Sequence, residues 1–274
     1  PWRMMIASAS GADCPSANVA GSSAAPSDPA APMSTAMATP VAASAAAATQ
    51  LAVTAVLLAN SVDDTLVDAL HALAASARPA ERLLLLDATG AGELAQTLDH
   101  ATALRAELPP TTVLRAAGAD IPAALRQARA EDPDADAYWL LTGATVPEPG
   151  ALGQLAGLLA GSRTAGLAAP KLLDRERPGR LARFGIQVSR SGRLQPNPRP
   201  GTPDQQQFDD RTDALAAPAE GLLIRRTAYD DLGGQQAWLG RLGTDLDLGW
   251  RAQLAGHRVV LAPRARVELA GGSP

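Results

Sequence analysis

Residues 51–74 read LAVTAVLLANSVDDTLVDALHALA, and this stretch decides the fold. It opens on a short apolar run, residues 51–58, whose length and polar end are typical of a buried strand. Asp63 and Asp64 then supply acids for the first turn of a helix, and the leucines that follow share one helical face. The stretch therefore predicts a strand that is followed by an amphipathic helix.

The same alternation continues along the next hundred residues. Strands are predicted at residues 83–86, 111–114 and 137–141, and helices at residues 93–107, at 121–130 and from Pro147 and Glu148 onward. This order predicts an α/β fold with a mostly parallel central sheet and helices on both faces. Ligands of such sheets bind beyond the carboxyl ends of the strands. We therefore expect Asn60, Asp87 and residues 142–144 to reach a ligand.

The second half of the chain is less regular. Residues 175–213 are rich in Arg, Pro, Gln and Asp and predict a long solvated loop. Further elements are a strand at 216–226, a helical turn at 229–234 that Gly233 and Gly234 cap, a last helix at 245–255 and a last strand at 258–261.

The first fifty residues differ in composition from the rest. They contain no leucine, phenylalanine or tyrosine, so they cannot bury enough apolar surface to offset the entropy of ordering them. We expect residues 1–50 to be a disordered leader, or the product of an upstream start that Met33 would replace. The folded domain is expected at residues 51–270, with a short tail at 271–274.

Composition also excludes several classes of protein. The formal net charge is −4, and there is no basic cluster, which argues against a nucleic-acid binder. Cys14 is the single cysteine, so a disulfide scaffold and a multi-cysteine metal site are excluded. No apolar run approaches the roughly 18 residues of a membrane span.

A series of motifs follows the predicted elements in order. They are VTAVLLAN (53–60), LLLLD (83–87), YWLL (138–141), APKLLD (169–174), GLLIRR (221–226), DDLGG (230–234) and TDLDLGWRAQLAGHRV (244–259). From about residue 51 to residue 269 this order resembles family 2 glycosyltransferases of the GT-A fold, and closely the branch found in actinobacterial multi-domain glycosyltransferases. The resemblance implies transfer of a sugar, with inversion, from a nucleotide-diphosphate donor to a glycan or cell-envelope acceptor.

Such a transfer needs a carboxylate to take the proton of the acceptor hydroxyl and positive charge to stabilise the departing diphosphate. By resemblance, Asp87 would hold the nucleobase and Asp245 would be the general base, with Asn60 and Thr142 beside the nucleotide. Two simpler interpretations stay open from the residues alone. Asp87 would only cap the turn that follows its strand, and Asp245 would only be the N-cap of the last helix.

The last helix carries further candidates on the acceptor or phosphate side, Asp247, Trp250 and Arg251. Trp250 is expected to pack inward with Leu246 and Leu254, or to form a platform for the acceptor. Arg251 is able to bind a phosphate in a bidentate manner. The i,i+4 spacing of Asp247 and Arg251 also predicts an ordinary salt bridge on the helix surface.

The metal motif of the family is missing. Its relatives carry acidic residues directly after the YWLL-type strand, where this chain has Thr142, Gly143 and Ala144. Thr244 replaces the first acid of the later acidic pair, and residues 267–269 (Val-Glu-Leu) stand where relatives often have a histidine after the last strand. Mg²⁺ or Mn²⁺, expected for the family, prefers oxygen ligands such as carboxylates. We therefore expect no metal ligands at this position.

Three interpretations follow from the resemblance. The chain is an active glycosyltransferase, a catalytically inactive domain that binds a nucleotide, glycan or protein, or a truncated fragment of a larger membrane-associated glycosyltransferase. The expected partners are a nucleotide-sugar donor and a glycan or lipid-linked acceptor, with no nucleic acid. The expected location is the cytoplasm, at the inner face of the membrane beside a membrane-associated partner.

Overall fold

The computed structural model describes residues 51–89, 92–195 and 198–271, apart from the side chains of residues 237, 241 and 242. The predicted leader and the last three residues of the predicted tail lie outside the described residues. All described residues belong to one unit, which spans Ala45–Pro274.

The helices and strands alternate through the first half and then give way to short strands. The helices are α1 (Asp64–Ala74), α2 (Glu93–His100), α3 (Thr102–Glu107), α4 (Ile121–Glu131), α5 (Ala151–Gly161), α6 (Arg226–Leu232) and α7 (Gly240–Leu254). The longer strands are β1 (Val53–Ala59), β2 (Arg82–Asp87), β3 (Thr111–Arg115), β4 (Ala137–Thr142), β6 (Ala165–Asp174) and β13 (Arg258–Leu269). The shorter strands are β5 (Thr145–Pro147), β7 (Arg180–Arg183), β8 (Gln187–Val188), β9 (Leu194–Gln195), β10 (Thr202–Pro203), β11 (Asp213–Ala214) and β12 (Leu223–Arg225).

The strands β3, β2, β1 and β4 lie side by side and run parallel. Their leucine-rich sequences suit this place, because a parallel strand is covered by helices on both of its faces. The β1 strand, for example, is buried over its whole length. The α/β fold class predicted from the sequence is confirmed.

The other half of the sheet is antiparallel in part. The β12 strand lies between β4 and β6 and runs antiparallel to both, whereas β13 runs parallel to β6. The central sheet is therefore mixed, and the prediction that it is mostly parallel holds only for the half that contains β1.

Alternate residues of β1 point into two separate hydrophobic cores. Ala55 and Leu57 pack in the core that contains leucines of α1, α2, α3 and α5. Val56 and Leu58 pack in the core that contains residues of α4, α6 and α7. Helices therefore cover both faces of the sheet, as the alternating pattern predicts.

Two helix predictions in the first half are wrong in their bounds. The helix expected at 93–107 is two helices, because Ala101 leaves helical geometry with ψ at 55°. The helix expected from Pro147 begins at Ala151, and Pro147 instead ends β5, where it pairs with Val267 of β13. Proline has no backbone N–H to donate to a neighbouring strand. It is tolerated at a strand end, where that hydrogen bond is not required.

The long loop predicted at 175–213 contains the short strands β7 to β11. One charged cluster ties part of it to the sheet. The chain's one lysine, Lys171 on β6, is fully buried, and its Nζ lies 3.0 Å from Asp204 Oδ1 and also contacts Asp209. A buried charge of this kind requires partners of opposite charge. Asp204 and Asp209 therefore hold this part of the segment against the sheet, where a loop surrounded by solvent was predicted.

Three further bounds differ from prediction near the end of the chain. The strand expected at 216–226 is formed only at Leu223–Arg225. The last helix begins at Gly240, five residues earlier than predicted. Glycine is a poor helix former, so the glycines near its start gave no helical pattern in the sequence. The last strand continues to Leu269 past an irregularity between Ala262 and Arg266. Residues 267–269, expected after this strand, therefore lie within it. Among the described residues, no helix is long and apolar enough to cross a membrane.

Candidate functional site

A cavity of about 610 Å³ opens beyond the carboxyl ends of β1 and β4. Five of the residues predicted to reach a ligand or to act in catalysis line it together, namely Asn60, residues 142–144 and Asp245. Asn60 follows β1, residues 142–144 end or follow β4, and Asp245 lies on α7. The cavity thus lies where the strand order predicts a ligand site, and residues of α7 contribute to its lining.

Asp63 closes the N-terminus of α1 at one side of the cavity. Its Oδ1 accepts a hydrogen bond of 3.0 Å from the backbone N–H of Leu66, and its Oδ2 accepts one of 2.7 Å from the Ser61 hydroxyl. Both hydrogen bonds lower the pKa of the Asp63 carboxyl, and the one from Ser61 has the larger effect. This side chain therefore stays ionised at neutral pH.

Asp120 caps α4 in the same way on another wall. Its Oδ1 accepts a hydrogen bond of 2.8 Å from the backbone N–H of Ala123. With Asp63 and Asp245 it gives the cavity three carboxylates, and none of the described side chains that line the cavity is basic. The described lining residues therefore offer hydrogen-bond acceptors to hydroxyl groups and supply no positive charge to a diphosphate.

Asp87 ends β2 and is in register with Ala59, the residue before Asn60 on β1. It is 2% exposed and does not line the cavity itself. Its Oδ1 accepts hydrogen bonds from the backbone N–H of Thr89, at 3.0 Å, and from the Thr89 hydroxyl. The turn cap considered for Asp87 is therefore formed. Its Oδ2 is buried without a hydrogen-bond partner among the described residues, although buried carboxylate oxygens nearly always have one.

Asp245 lies inside α7 and is 3% exposed. Its proposed alternative role as the N-cap of that helix is wrong, because Leu239 holds the cap position. Leu248 and Ala252 follow on the same buried face of α7. The helix thus presents a carboxylate to the cavity at its first turns and apolar side chains to the core further along.

The inward packing predicted for Trp250 and Leu254 is wrong. Trp250 is 49% exposed and Leu254 is 77% exposed, while Leu246 is half-buried. The prediction failed because the face of α7 that meets the sheet is the one with Asp245 and Leu248. Trp250 lies roughly on the opposite face, since two positions along a helix differ by about 200°.

Asp247 and Arg251 form the predicted salt bridge, with Arg251 Nη2 2.6 Å from Asp247 Oδ2. Arg251 also donates hydrogen bonds of 2.6 Å and 2.9 Å to the backbone carbonyls of Leu232 and Gly234. The guanidinium therefore fastens the end of α6 to α7. Neither member of the pair lines the cavity.

The residues expected at the metal position, 142–144, do not fit a divalent cation. Of Thr142, Gly143 and Ala144, only Thr142 has a side-chain oxygen, and its backbone N–H and carbonyl are both bonded to the Thr145 hydroxyl. Nowhere in the described residues do three His, Cys, Asp or Glu side chains form a group that could hold a metal ion. Mg²⁺ and Mn²⁺ require several oxygen ligands at one point, so we assign no metal to this site.

One residue that sequence analysis did not identify lines the cavity beside Asp245. Gln235 is 6% exposed, and Thr244, its neighbour on the wall, donates a hydrogen bond of 3.0 Å to the carbonyl of Gln236. The signal in the sequence was weak. Two glutamines follow Gly233 and Gly234 directly, and a polar pair at that place is typical of an ordinary loop.

Comparison with known proteins agrees with this architecture. The model of the family described as "Glycosyltransferase like family 2" matches residues 50–272. No curated protein matches the chain. Among solved structures, a crystal structure of GalNAc-T7 with UDP, GalNAc and Mn²⁺ superposes with a TM-score of 0.61 at 15% sequence identity. The alignment covers 81% of this chain and 44% of that one, so this chain corresponds to less than half of the GalNAc-T7 chain.

Proposed function

Because the chain belongs to glycosyltransferase-like family 2, we propose that it transfers a sugar from a nucleotide-diphosphate donor to a hydroxyl of a glycan or lipid-linked acceptor, with inversion. The observation that carries the proposal is the buried carboxylate of Asp245 in the same cavity as Asn60 and Thr142 at the strand ends. Within the actinobacterial branch that the motifs resemble, the acceptor would belong to cell-envelope polysaccharide at the inner face of the membrane.

Asp245 is the general base in this proposal. The acceptor oxygen attacks the anomeric carbon of the donor sugar on the face opposite the diphosphate, and the bond to the diphosphate oxygen breaks. The proton of the acceptor hydroxyl passes to the Asp245 carboxylate. A single displacement of this kind inverts the configuration at the anomeric carbon, and a positioned base contributes typically 10²–10⁴-fold to its rate.

The nucleotide is assigned to the strand-end side of the cavity. Asn60 and Thr142 line that side. Asp87 ends the neighbouring strand and does not itself line the cavity; no described residue pairs with its buried Oδ2, and the proposal assigns this oxygen to an N–H of the nucleobase. A uridine nucleotide is the first donor to test, since the GalNAc-T7 structure was determined with UDP. No role is assigned to a metal, because the residues at 142–144 do not fit one.

Trp250 is about half exposed, but it does not line the cavity, so the acceptor platform stays a prediction and this proposal gives the ring no role in the transfer. Arg251 is proposed as a positioning residue rather than a phosphate ligand. Its donors are already bonded to Asp247 and to two backbone carbonyls.

One observation favours a second function, a catalytically inactive domain that binds a nucleotide sugar or glycan. By the resemblance of the motifs, the acidic residues of the family after β4 would stand at Thr142, Gly143 and Ala144, and the first acid of the later pair at Thr244, and this chain has no acid at any of the four positions. Loss of these groups removes charge stabilisation of the diphosphate while leaving the cavity and Asp245 in place.

The two functions are separated by assays of the full chain with UDP- and GDP-sugars. Transfer and hydrolysis are measured in EDTA and in Mn²⁺, and binding is measured by calorimetry. Turnover supports the transferase. Binding without turnover under either condition supports the inactive domain, and the absence of any nucleotide binding contradicts both functions.

The role of Asp87 predicts a selective loss of nucleotide affinity. In Asp87→Asn the Oδ1 that holds Thr89 is kept, but an NH₂ group replaces the free acceptor and opposes the N–H of the base. We expect UDP to bind about 10–100-fold more weakly in calorimetry. Asp99→Asn, at a surface ion pair with Arg105, is the matched control. Equal UDP affinity in both variants would leave Asp87 with its turn cap alone.

Restoring acids after β4 is expected to create metal dependence. A Cβ at Gly143 would meet Leu66 Cδ1 at 3.7 Å and nothing closer, so the position accepts a side chain. In Gly143→Asp/Ala144→Asp, Mn²⁺ should tighten UDP binding by about tenfold in calorimetry. The double asparagine variant, which has the same shape without the charge, should show no such effect. No response of the aspartate variant to Mn²⁺ would mean that residues 142–144 are not the metal position of the family.

A further inference from the structure

The Gln235 side chain is a buried amide that forms no hydrogen bond with the described residues. It is 6% exposed, and neither Oε1 nor Nε2 has a hydrogen-bond partner among the described residues. Buried amides nearly always have partners, because leaving them without one lowers stability. An exception inside a cavity therefore requires an explanation.

The backbone on either side of Gln235 is held by hydrogen bonds from two side chains of α7. Before it, the Gly234 carbonyl accepts a hydrogen bond of 2.9 Å from Arg251. After it, the Gln236 carbonyl accepts one of 3.0 Å from the Thr244 hydroxyl. Gly234 itself has φ at 82°, and a Cβ there would lie 3.0 Å from the Tyr229 hydroxyl. The loop is preorganised, which reduces the entropy lost when a ligand binds.

The chemistry of the cavity indicates what the amide contacts. Gln235 and Asp245 both line the cavity, and the described lining side chains carry no basic group that would attract a phosphate. A neutral amide offers two N–H donors and one carbonyl acceptor. Adjacent hydroxyls of a sugar ring, each both donor and acceptor, complement such a group.

We propose that Gln235 is a specificity-determining residue that hydrogen-bonds hydroxyl groups of the sugar ring beside Asp245. The proposal rests on the proposed function. The ring belongs to the donor or to the acceptor, and both offer the same hydroxyl chemistry. A binding site that hydrogen-bonds a hydroxyl discriminates strongly against the analogue that lacks it, because its own polar groups are then left unpaired.

The test compares Gln235→Leu, which keeps the approximate volume, with Gln236→Leu, a control at the exposed neighbour. Without ligand, Gln235→Leu should raise Tm by about 3 °C, because it removes a buried amide without partners. With ligand, two arms separate the source of the sugar. Calorimetry compares UDP with UDP-glucose, UDP-galactose and UDP-N-acetylglucosamine, and saturation-transfer NMR follows methyl hexosides on the UDP-saturated chain.

If the donor sugar is bound, the gain in affinity of the preferred UDP-sugar over UDP should fall about tenfold in Gln235→Leu, with UDP affinity unchanged. If the acceptor is bound, the methyl hexoside signal should be lost instead. A lower Tm of Gln235→Leu without ligand, or no change in either arm, would overturn the proposal. Failure of the proposed function is distinguishable, because it shows in the wild-type chain, which would then transfer no sugar or bind no nucleotide, whereas failure of this proposal shows only in the comparison of Gln235→Leu with the wild type.

Discussion

Replacing Asp245 with asparagine is expected to lower the rate of sugar transfer by roughly 10²–10⁴-fold. The amide has the shape of the carboxylate but cannot take the proton of the acceptor hydroxyl. Asp245 is buried in the wall of the cavity, so no bulk base replaces it there. The measurement is kcat for transfer with the donor that the wild-type chain prefers, together with the Kd of that donor.

The Kd separates a catalytic effect from a structural one. A lost base lowers kcat and leaves donor affinity within about threefold, because the interaction belongs to the transition state. Asp99→Asn, remote from the cavity, should retain wild-type kcat. If Asp245→Asn keeps more than half of the wild-type rate, the base is another group. If it loses donor binding in the same proportion as rate, Asp245 contributes to binding and not to proton transfer.

The parallel half of the sheet was predictable because each of its elements carries its own local signal. In β1 and β2 the leucines form short unbroken runs that only a strand covered on both faces would bury. In α1, Asp63 both begins the helix in sequence and caps it in structure through its bond to Leu66. Asn60 and Thr142 then reach the cavity simply because they follow or end parallel strands.

The antiparallel half and its loops were not predictable, because distant residues determine them. The segment expected as a solvated loop is held in part by Lys171, whose partners Asp204 and Asp209 lie more than thirty residues along the chain. The burial of that lysine has no periodic signal. The β12 strand, with three residues, is likewise set by the neighbours β4 and β6 rather than by its own sequence.

The residues of the candidate site were likewise predictable only where a local sequence signal marks them. Residues at strand ends were found, whereas Gln235 was not, since its burial depends on contacts of Arg251 and Thr244 with the backbone around it. On α7 the sequence identified Asp245 but placed Trp250 on the wrong face. The buried face of this helix includes Gly249, which has no apolar side chain to mark it in the sequence. The buried face was therefore predicted from the larger apolar side chains instead.

Gly249 is also where a single methyl group should have the largest effect on stability. A Cβ at this position would lie 2.4 Å from the Cβ of Ala216, 2.5 Å from its Cα and 2.7 Å from the carbonyl oxygen of Leu215. Two of these three atoms are backbone, so no side-chain rotation relieves the overlap. We expect Gly249→Ala to lower the free energy of unfolding by about 3 kcal/mol, even though alanine is the better helix former. In a thermal melt this corresponds to roughly 10 °C.

The matched control is Gly157→Ala, which makes the same change in the exposed face of α5, where a Cβ would meet nothing within 4 Å. There only helix propensity acts, and the variant should gain about 0.5–1 kcal/mol in urea unfolding. The two substitutions should thus move stability in opposite directions. Gly249→Ala should also reduce transfer, because pushing α7 away from residue 216 displaces Asp245 on the same helix, whereas Gly157→Ala should leave transfer unchanged. Equal stability of the two variants would mean that α7 does not approach Ala216 this closely, and the position of the proposed base would have to be reconsidered with it.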